Sequence, residues 1–377
     1  MDKFDVIVVG LGAMGSSAAM QLATRGHSVL GLDAHAPPHT LGSHHGESRI
    51  IRKAYYEHPS YVPLLDRTFA LWTELAAHSS NRLMTLNGGL MIGRPDGELV
   101  KGVLESARQH KLQHTMLSPD QLADRVPVFQ LDREMVAVLE PDAGILYPET
   151  CVRLFLELAK SHGARLHIGE AVSDWRAGAD GVSVKTDHAT YRASKLILSA
   201  GAWLGQLVPA MRPNLAIERQ VVIQVRPRAD VARFRPDQLP IFCLEEEDAS
   251  FFYGIPDLGN GFKVGQHHAG VIYASADAID RTVNAHDIDI VREFLARHIP
   301  QGNGPLVSSV VCLYTNTPDI HFAIDHLPGE SDVVVASVCS GHGFKFAPVV
   351  GEIIADLVEG KRPEFDVSMF GARRLVG

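Results

Sequence analysis

The segment from Val6 to Asp33 constrains the fold more than any other part of the chain. Val6-Ile7-Val8-Val9 is an unbroken β-branched run, the pattern of a strand covered on both faces in a parallel sheet. Gly10, Gly12 and Gly15 follow in G-x-G-x-x-G spacing, and Ser16 to Arg25 predicts a helix that stops at Gly26. A second strand, Ser28 to Leu32, ends at Asp33, 18 positions beyond the last glycine. Gly10 admits the tight turn, Gly12 lets backbone approach a pyrophosphate, and Gly15 lets helix and strand pack closely. The helix start offers free N–H groups to phosphate, and Asp33 is placed to accept hydrogen bonds from an adenosine ribose. The segment therefore predicts a bound dinucleotide. It leaves NAD and FAD equally open.

The polar loop that follows, Ala34 to Arg49, holds His35, His39, His44 and His45 but no cysteine. Their spacing matches no familiar ligand set, so no metal is expected. Helical periodicity recurs over Tyr61 to Ala77, Asp96 to Lys111 and Thr150 to His162. Ala164 to Ile168, Ala171 to Trp175, Val182 to Thr186 and Ala189 to Ala193 read as a short antiparallel group. Leu196 to Leu198 then returns to a buried strand that runs into Ser199-Ala200-Gly201, which predicts a nucleotide domain assembled from separated segments. Glu245 to Asp248 reads as a solvated turn. Val310 to Tyr314 and Val333 to Val338 read as strands. Between the second of these and an amphipathic helix carrying Val349, Val350, Ile353, Ile354 and Leu357 lies the glycine-rich turn Ser340 to Lys345.

The expected class is α/β, or α+β overall, in two parts. One is a Rossmann-like domain over residues 1–83, 145–215 and 312–377. The other is an antiparallel-sheet substrate domain over residues 84–144 and 216–311. A chain of 377 residues has room for both. Its 35 Lys and Arg against 44 Asp and Glu leave a net charge of −9, with no basic excess to neutralise phosphates, so no nucleic-acid partner is expected. The four cysteines, Cys151, Cys243, Cys312 and Cys339, contain no Cys-x-x-Cys pair and point to a reducing compartment. Met1 to Asp5 lacks the basic region of a signal peptide, no apolar run reaches the roughly 18–20 residues that span a bilayer, and Arg374 to Gly377 carries no peroxisomal or prenylation signal. A cytoplasmic chain with no membrane partner is expected.

Several further runs together resemble the monomeric sarcosine oxidase and N-methyltryptophan oxidase family over essentially the whole chain. They are Gly42-Ser43-His44-His45-Gly46-Glu47-Ser48-Arg49-Ile50-Ile51-Arg52, Tyr253-Gly254-Ile255-Pro256, Lys263-Val264-Gly265-Gln266-His267, Cys312-Leu313-Tyr314-Thr315 and Ser340-Gly341-His342-Gly343-Phe344-Lys345-Phe346. The resemblance implies FAD bound covalently by a thioether from Cys312 to the flavin 8α-methyl group. Among Val310, Val311 and Leu313, that cysteine would otherwise read as a buried core thiol. It also implies cofactor contacts from Ser43, His44, Arg49, Gly341, Gly343 and Lys345, with Arg49 against the flavin ring. Arg52 and Lys345 would hold a substrate carboxylate, one as a fork and one as a point charge. His267 would sit near the substrate amine and tune its protonation, with Tyr253 and Tyr314 as pocket walls. Lys263 would stabilise charge that develops on oxygen.

The implied activity is oxidation of an N-alkyl amino acid by O2, in a monomer, with release of hydrogen peroxide. The chain departs from the family pattern at Tyr56 and His58, where glycines are usual, so the loop at the substrate entrance should be stiffer or differently shaped. Three other classes compete with this reading. A dehydrogenase of the same fold with a non-oxygen acceptor is disfavoured by Lys263. An NAD-dependent dehydrogenase has no use for Cys312 or the Ser340 to Lys345 turn. A non-catalytic flavin binder has no use for Arg49, Lys263, His267 and Lys345 together.

Overall fold

The computed structural model describes residues 3–376, so Met1, Asp2 and Gly377, on which the processing-signal and terminal domain expectations partly rest, lie outside the described residues. The β-branched run forms Lys3–Val9, flanked by parallel partners Val29–Asp33 and Thr190–Leu198. Arg165–Ile168 extends the sheet parallel to Val29–Asp33, and Glu330–Ser337 pairs parallel with Leu196 to Leu198. Ala323–Leu327 closes that edge antiparallel, while the hairpin Val172–Gly178 and Gly181–Thr186 takes the early half of Thr190–Leu198.

Two expectations are corrected here. Arg165–Ile168 is not part of the antiparallel group; it is short and half-exposed, so no continuous apolar run marks its parallel setting. The separate strands expected at Ala189–Ala193 and from Leu196 are one strand, Thr190–Leu198. Lys195 gives the sequence a polar break, but its ammonium bonds Asp332 at 2.7 Å and the backbone stays extended.

The glycine-led helix, Ala13–Thr24, lies against this sheet and buries Met14, Ala18, Ala19 and Leu22. It shares one core with Cys151, Val152 and Phe155 of helix Pro148–Ser161 and with Val350 and Ile354 of helix Ala347–Val358. The second large sheet has nine strands. Ala216–Val225 and Leu306–Asn316 pair antiparallel along their lengths, and Phe262–His267, Phe251–Ile255 and Ile241–Glu245 continue the order. Gly89–Gly93 joins parallel to Ile241–Glu245, so the sheet is mixed rather than wholly antiparallel. Its core holds Phe242, Phe262 and a stacked pair, Phe252 on Phe294 with centroids 4.2 Å apart, beneath helix Ala285–His298. Leu306–Asn316 belongs to this sheet throughout, and the division expected at residue 312 falls inside it.

The acidic cluster is also more than a solvated turn. Glu245 accepts from the amides of Glu98 and Leu99, capping helix Glu98–His110 where Gly97 has no side chain to do so. Glu246 is buried and takes His298 at 3.0 Å and Arg297 at 2.9 Å. Among the described residues, no helix is long and apolar enough to cross a membrane.

Gly10 and Gly15 tie the first strand to its helix. Gly10 has φ +86°, and a Cβ there would stand 2.6 Å from the Ser199 carbonyl oxygen. A Cβ on Gly15 would meet the Gly10 oxygen at 1.8 Å. Gly15→Val must therefore separate helix from strand, and we expect it to cost about 2–3 kcal/mol. An unchanged urea midpoint would refute this account of the packing.

Candidate active site

The parallel strands of the first sheet point their C-terminal ends at one face of the second sheet, and a long cleft lies between them. Val9, Leu32, Asp33, Ser199 and Ser337 mark one wall; Tyr253, Lys263, His267, Cys312 and Tyr314 mark the other. The cleft runs from Gly12, Asp33 and Ser43 at one end to His267, His342 and Lys345 at the other. Every site residue expected from the sequence lines this cleft except Gly15, which packs beneath it.

At one end, Gly12 opens helix Ala13–Thr24 with no capping side chain and no acidic residue in the first turn. Its N–H groups therefore face the cleft without a partner from a side chain, a setting for phosphate. Asp33, behind this turn, accepts from the amides of Leu11 at 2.7 Å and His35 at 2.8 Å. A carboxylate has about four acceptor sites, so it both fixes the glycine turn and keeps capacity for a ribose. Burial holds His44 neutral, down to about 3, and its Nδ1 would lie 3.3 Å from a Cβ on Gly12. A cleft of this length, an uncapped helix start and a ribose-competent carboxylate fit a dinucleotide such as FAD.

At the other end the cleft gathers cations. Arg49 donates to the carbonyls of Ser43, His45 and Ser48 and stands 3.9 Å from the Cys312 sulfur, a free thiol. Lys263, on strand Phe262–His267, donates to Gly46 O at 2.6 Å, Ser48 O at 3.0 Å and Ser48 Oγ at 3.1 Å. Burial, and then the charge of Arg49, push its ammonium down to about 7. Lys345 is likewise pushed down to about 7 by burial and then Arg52. It donates to His342 O at 2.6 Å and to the Tyr55 hydroxyl at 3.3 Å, leaving one N–H for the cleft. Gly341, at φ +76°, brings bare backbone against His267 and Tyr314; a Cβ would meet their rings at 2.6 Å and 2.7 Å. His267 Nδ1 bonds the Tyr314 hydroxyl at 3.0 Å. Burial pushes the imidazole well down and the phenol well up, so both are neutral. Tyr253 sets its ring edge-on to His267.

Arg52 reaches the cleft with its fork already filled. Its Nη2 contacts both oxygens of Glu57, at 2.8 and 2.7 Å, and Nη1 donates to Ala54 O. Its guanidinium lies over the rings of Tyr55 and Tyr56 at 4.3 and 4.9 Å. Tyr56 stacks on Phe251, and His58 caps the next turn by accepting from Ser60 N, so both bulky residues of the entrance loop are engaged. Sequence reasoning missed Glu57, Tyr55, Phe251 and Glu149. Glu57 sits five residues from Arg52 and could have been paired with it; the others meet the site only through tertiary contacts.

An electropositive chamber joined to a dinucleotide cleft defines a nucleotide-dependent redox enzyme. The sequence pattern of the family described as FAD dependent oxidoreductase matches residues 5–357. Monomeric sarcosine oxidase of Streptomyces avermitilis is 42% identical over 376 residues, covering 99% of this chain and 98% of that one. N-methyl-L-tryptophan oxidase of Salmonella newport is 35% identical, with 99% of each chain covered. The chain belongs to this family of FAD-dependent oxidoreductases. Among solved structures, NikD, an unusual amino acid oxidase essential for nikkomycin biosynthesis, superposes with TM-score 0.86 at 25% identity, covering 98% of each chain. L-proline dehydrogenase from P. horikoshii shares the fold, with TM-score 0.84 at 22% identity over 99% of this chain and 98% of that one.

The buried Arg52–Glu57 pair gives a pH signature. Although burial raises it, Arg52 holds the Glu57 carboxyl below its usual range. The stabilisation is therefore present above the unfolded value and lost as pH falls from about 5. Glu57→Ala should cost about 3–5 kcal/mol at neutral pH by stranding the Arg52 charge, and should flatten the acid limb. Urea melts at several pH values check this; equal loss at every pH would contradict it.

Proposed function

We propose that the chain is an FAD-dependent oxidase that demethylates an N-methyl amino acid. Amine, O2 and water give the primary amino acid, formaldehyde and hydrogen peroxide. The observation that carries this reading is the convergence of the Cys312 thiol, Arg49, Lys263, His267 and Lys345 at the end of a dinucleotide cleft. The names of the curated relatives supply the substrate class.

FAD would lie with its pyrophosphate at the Gly12 helix start, its ribose at Asp33 and its ring beside Arg49, joined covalently to Cys312. Ser43, His44, Gly341 and Gly343 would complete its walls. Bound there, it supplies the two-electron chemistry between amine and oxygen. The chain's own groups do the positioning. Lys345 offers its remaining N–H to the substrate carboxylate, and Arg52 adds its fork in exchange for Glu57. His267, held by Tyr314, leaves its other nitrogen for the amine. Tyr253 and Phe251 shape the apolar wall, and Lys263 sets a positive charge where oxygen gains electrons. Segments 1–83, 145–215 and 312–377 would serve the cofactor and 84–144 and 216–311 the substrate. The enzyme would work as a monomer in the cytoplasm.

Acid precipitation and intact mass test the cofactor. Flavin colour should stay with the pellet, with its mass on the Cys312 peptide, and Cys312→Ser should release it. Flavin in the supernatant of the unaltered chain would overturn the covalent link. Peroxide formed with an N-methyl amino acid is the expected activity; turnover only with an artificial acceptor would favour a dehydrogenase. Lys263→Met should slow the oxygen half-reaction at least 10-fold, the usual scale for a lost electrostatic stabiliser being about 10²–10³. Anaerobic reduction should be nearly unchanged. Stopped-flow in which both halves slow equally would remove Lys263 from this role.

A further inference from the structure

Glu149 lies outside the cleft, yet its carboxylate governs the loop on which two of the buried cations rest. Gly46 and Glu47 both take the left-handed conformation, with φ +97° and +72°, so consecutive N–H groups turn to one side. Both meet Glu149 Oε1, at 2.8 and 3.0 Å. The carbonyls turn the other way: Gly46 and Ser48 accept from Lys263, and Ser43, His45 and Ser48 from Arg49. Glu47 is not a glycine, so the bend is strained without an anchor. Glu149 sits in the first turn of helix Pro148–Ser161, whose Cys151, Val152 and Phe155 are fully buried and hold it rigidly.

We propose that Glu149 is a positioning residue for the oxygen step: its carboxylate clamps the Gly46 and Glu47 amides, holds the turn that aims the Gly46 and Ser48 carbonyls at Lys263, and sets a negative charge across the loop from that ammonium. This rests on the oxidase reading above. The groups facing Lys263 are Glu47, Arg49 and His45 on the loop and its strand, Cys312 on Leu306–Asn316, and Glu149 on the helix. Arg49 works against the ammonium, whereas Cys312, then Glu149 and Glu47, work for it. Glu47 is exposed and already engaged by Gln224 and Asn260, which leaves Glu149 as the anion fixed to the loop's backbone.

The test uses holoenzyme and three variants, Glu149→Gln, Glu149→Asp and Glu149→Gln with Lys263→Met. The two half-reactions are measured by stopped-flow from about pH 6 to about pH 10. Glu149→Gln keeps an acceptor oxygen and removes the charge. It should move the midpoint of the oxygen half-reaction down by about 1 pH unit, a differential interaction of about 1.4 kcal/mol between the two protonation states. Anaerobic reduction and flavin content should change little. Glu149→Asp keeps the charge and shortens the reach, so it should slow the oxygen step with the midpoint nearly unmoved. The double variant should behave as Lys263→Met alone, because both act through one group. An unmoved midpoint in Glu149→Gln, or equal slowing of both half-reactions, overturns the proposal. If Glu149→Gln does not fold, Glu149→Asp decides: an unchanged oxygen step overturns it and a slowed one supports it. An unaltered chain that makes no peroxide defeats the oxidase reading instead.

Discussion

Four basic side chains, Arg49, Arg52, Lys263 and Lys345, line one cleft, and the rest of the architecture answers to that constraint. Isolated charges of this kind are costly to bury unless hydrogen-bonded or paired. Among the described residues, only Arg52 of these four has a side-chain carboxylate in an ion pair with it. The other three rest mainly on peptide carbonyls: those of Ser43, His45, Gly46 and Ser48, and that of His342. Peptide dipoles solvate a cation without neutralising it. The chamber thus remains positive toward an anionic guest, and the left-handed residues Gly46, Glu47, Ser340 and Gly341 are where the backbone bends to turn its groups as needed.

Much of the nucleotide half was legible because its physics is local. The glycine spacing, the strand before it and Asp33 lie within one short segment, and each has a steric or electrostatic task that neighbouring residues determine. The side chains proposed for catalysis come from resemblance rather than from pattern; nothing in the sequence around Cys312 separates it from a core thiol. Their common placement in one cleft supports that resemblance. What stayed hidden depends on long-range partners. Glu149 is more than a hundred residues from the peptides it holds, and Glu245 caps a helix far earlier in the chain. Arg165–Ile168 is a parallel strand only because Val29–Asp33 lies beside it. Arg52 lines the cleft, but its pairing with Glu57 depends on the intervening turn folding back.

The fold itself does not choose between oxygen and another electron acceptor, since a structure named as a dehydrogenase superposes about as closely as structures named as oxidases. The proposed function assigns that choice to a few side chains around Lys263. They are carried by elements of different origin: a loop after the first βαβ unit, a strand of the second sheet and the first turn of a helix.

The order in which the strands join has a consequence for how the chain is made. Lys3–Val9 needs Thr190–Leu198 at one edge, and that strand in turn needs Glu330–Ser337. Helix Ala13–Thr24 is covered by helix Ala347–Val358. A nascent chain therefore carries its glycine turn with an open sheet edge and a bare helix flank until almost all of it has been synthesised. Contacts of such sequence separation form slowly and leave aggregation-prone surface exposed meanwhile. Burdening the last strand and helix should harm yield during expression more than it harms the finished molecule, and early cofactor capture by the turn cannot rescue a sheet that is not yet complete.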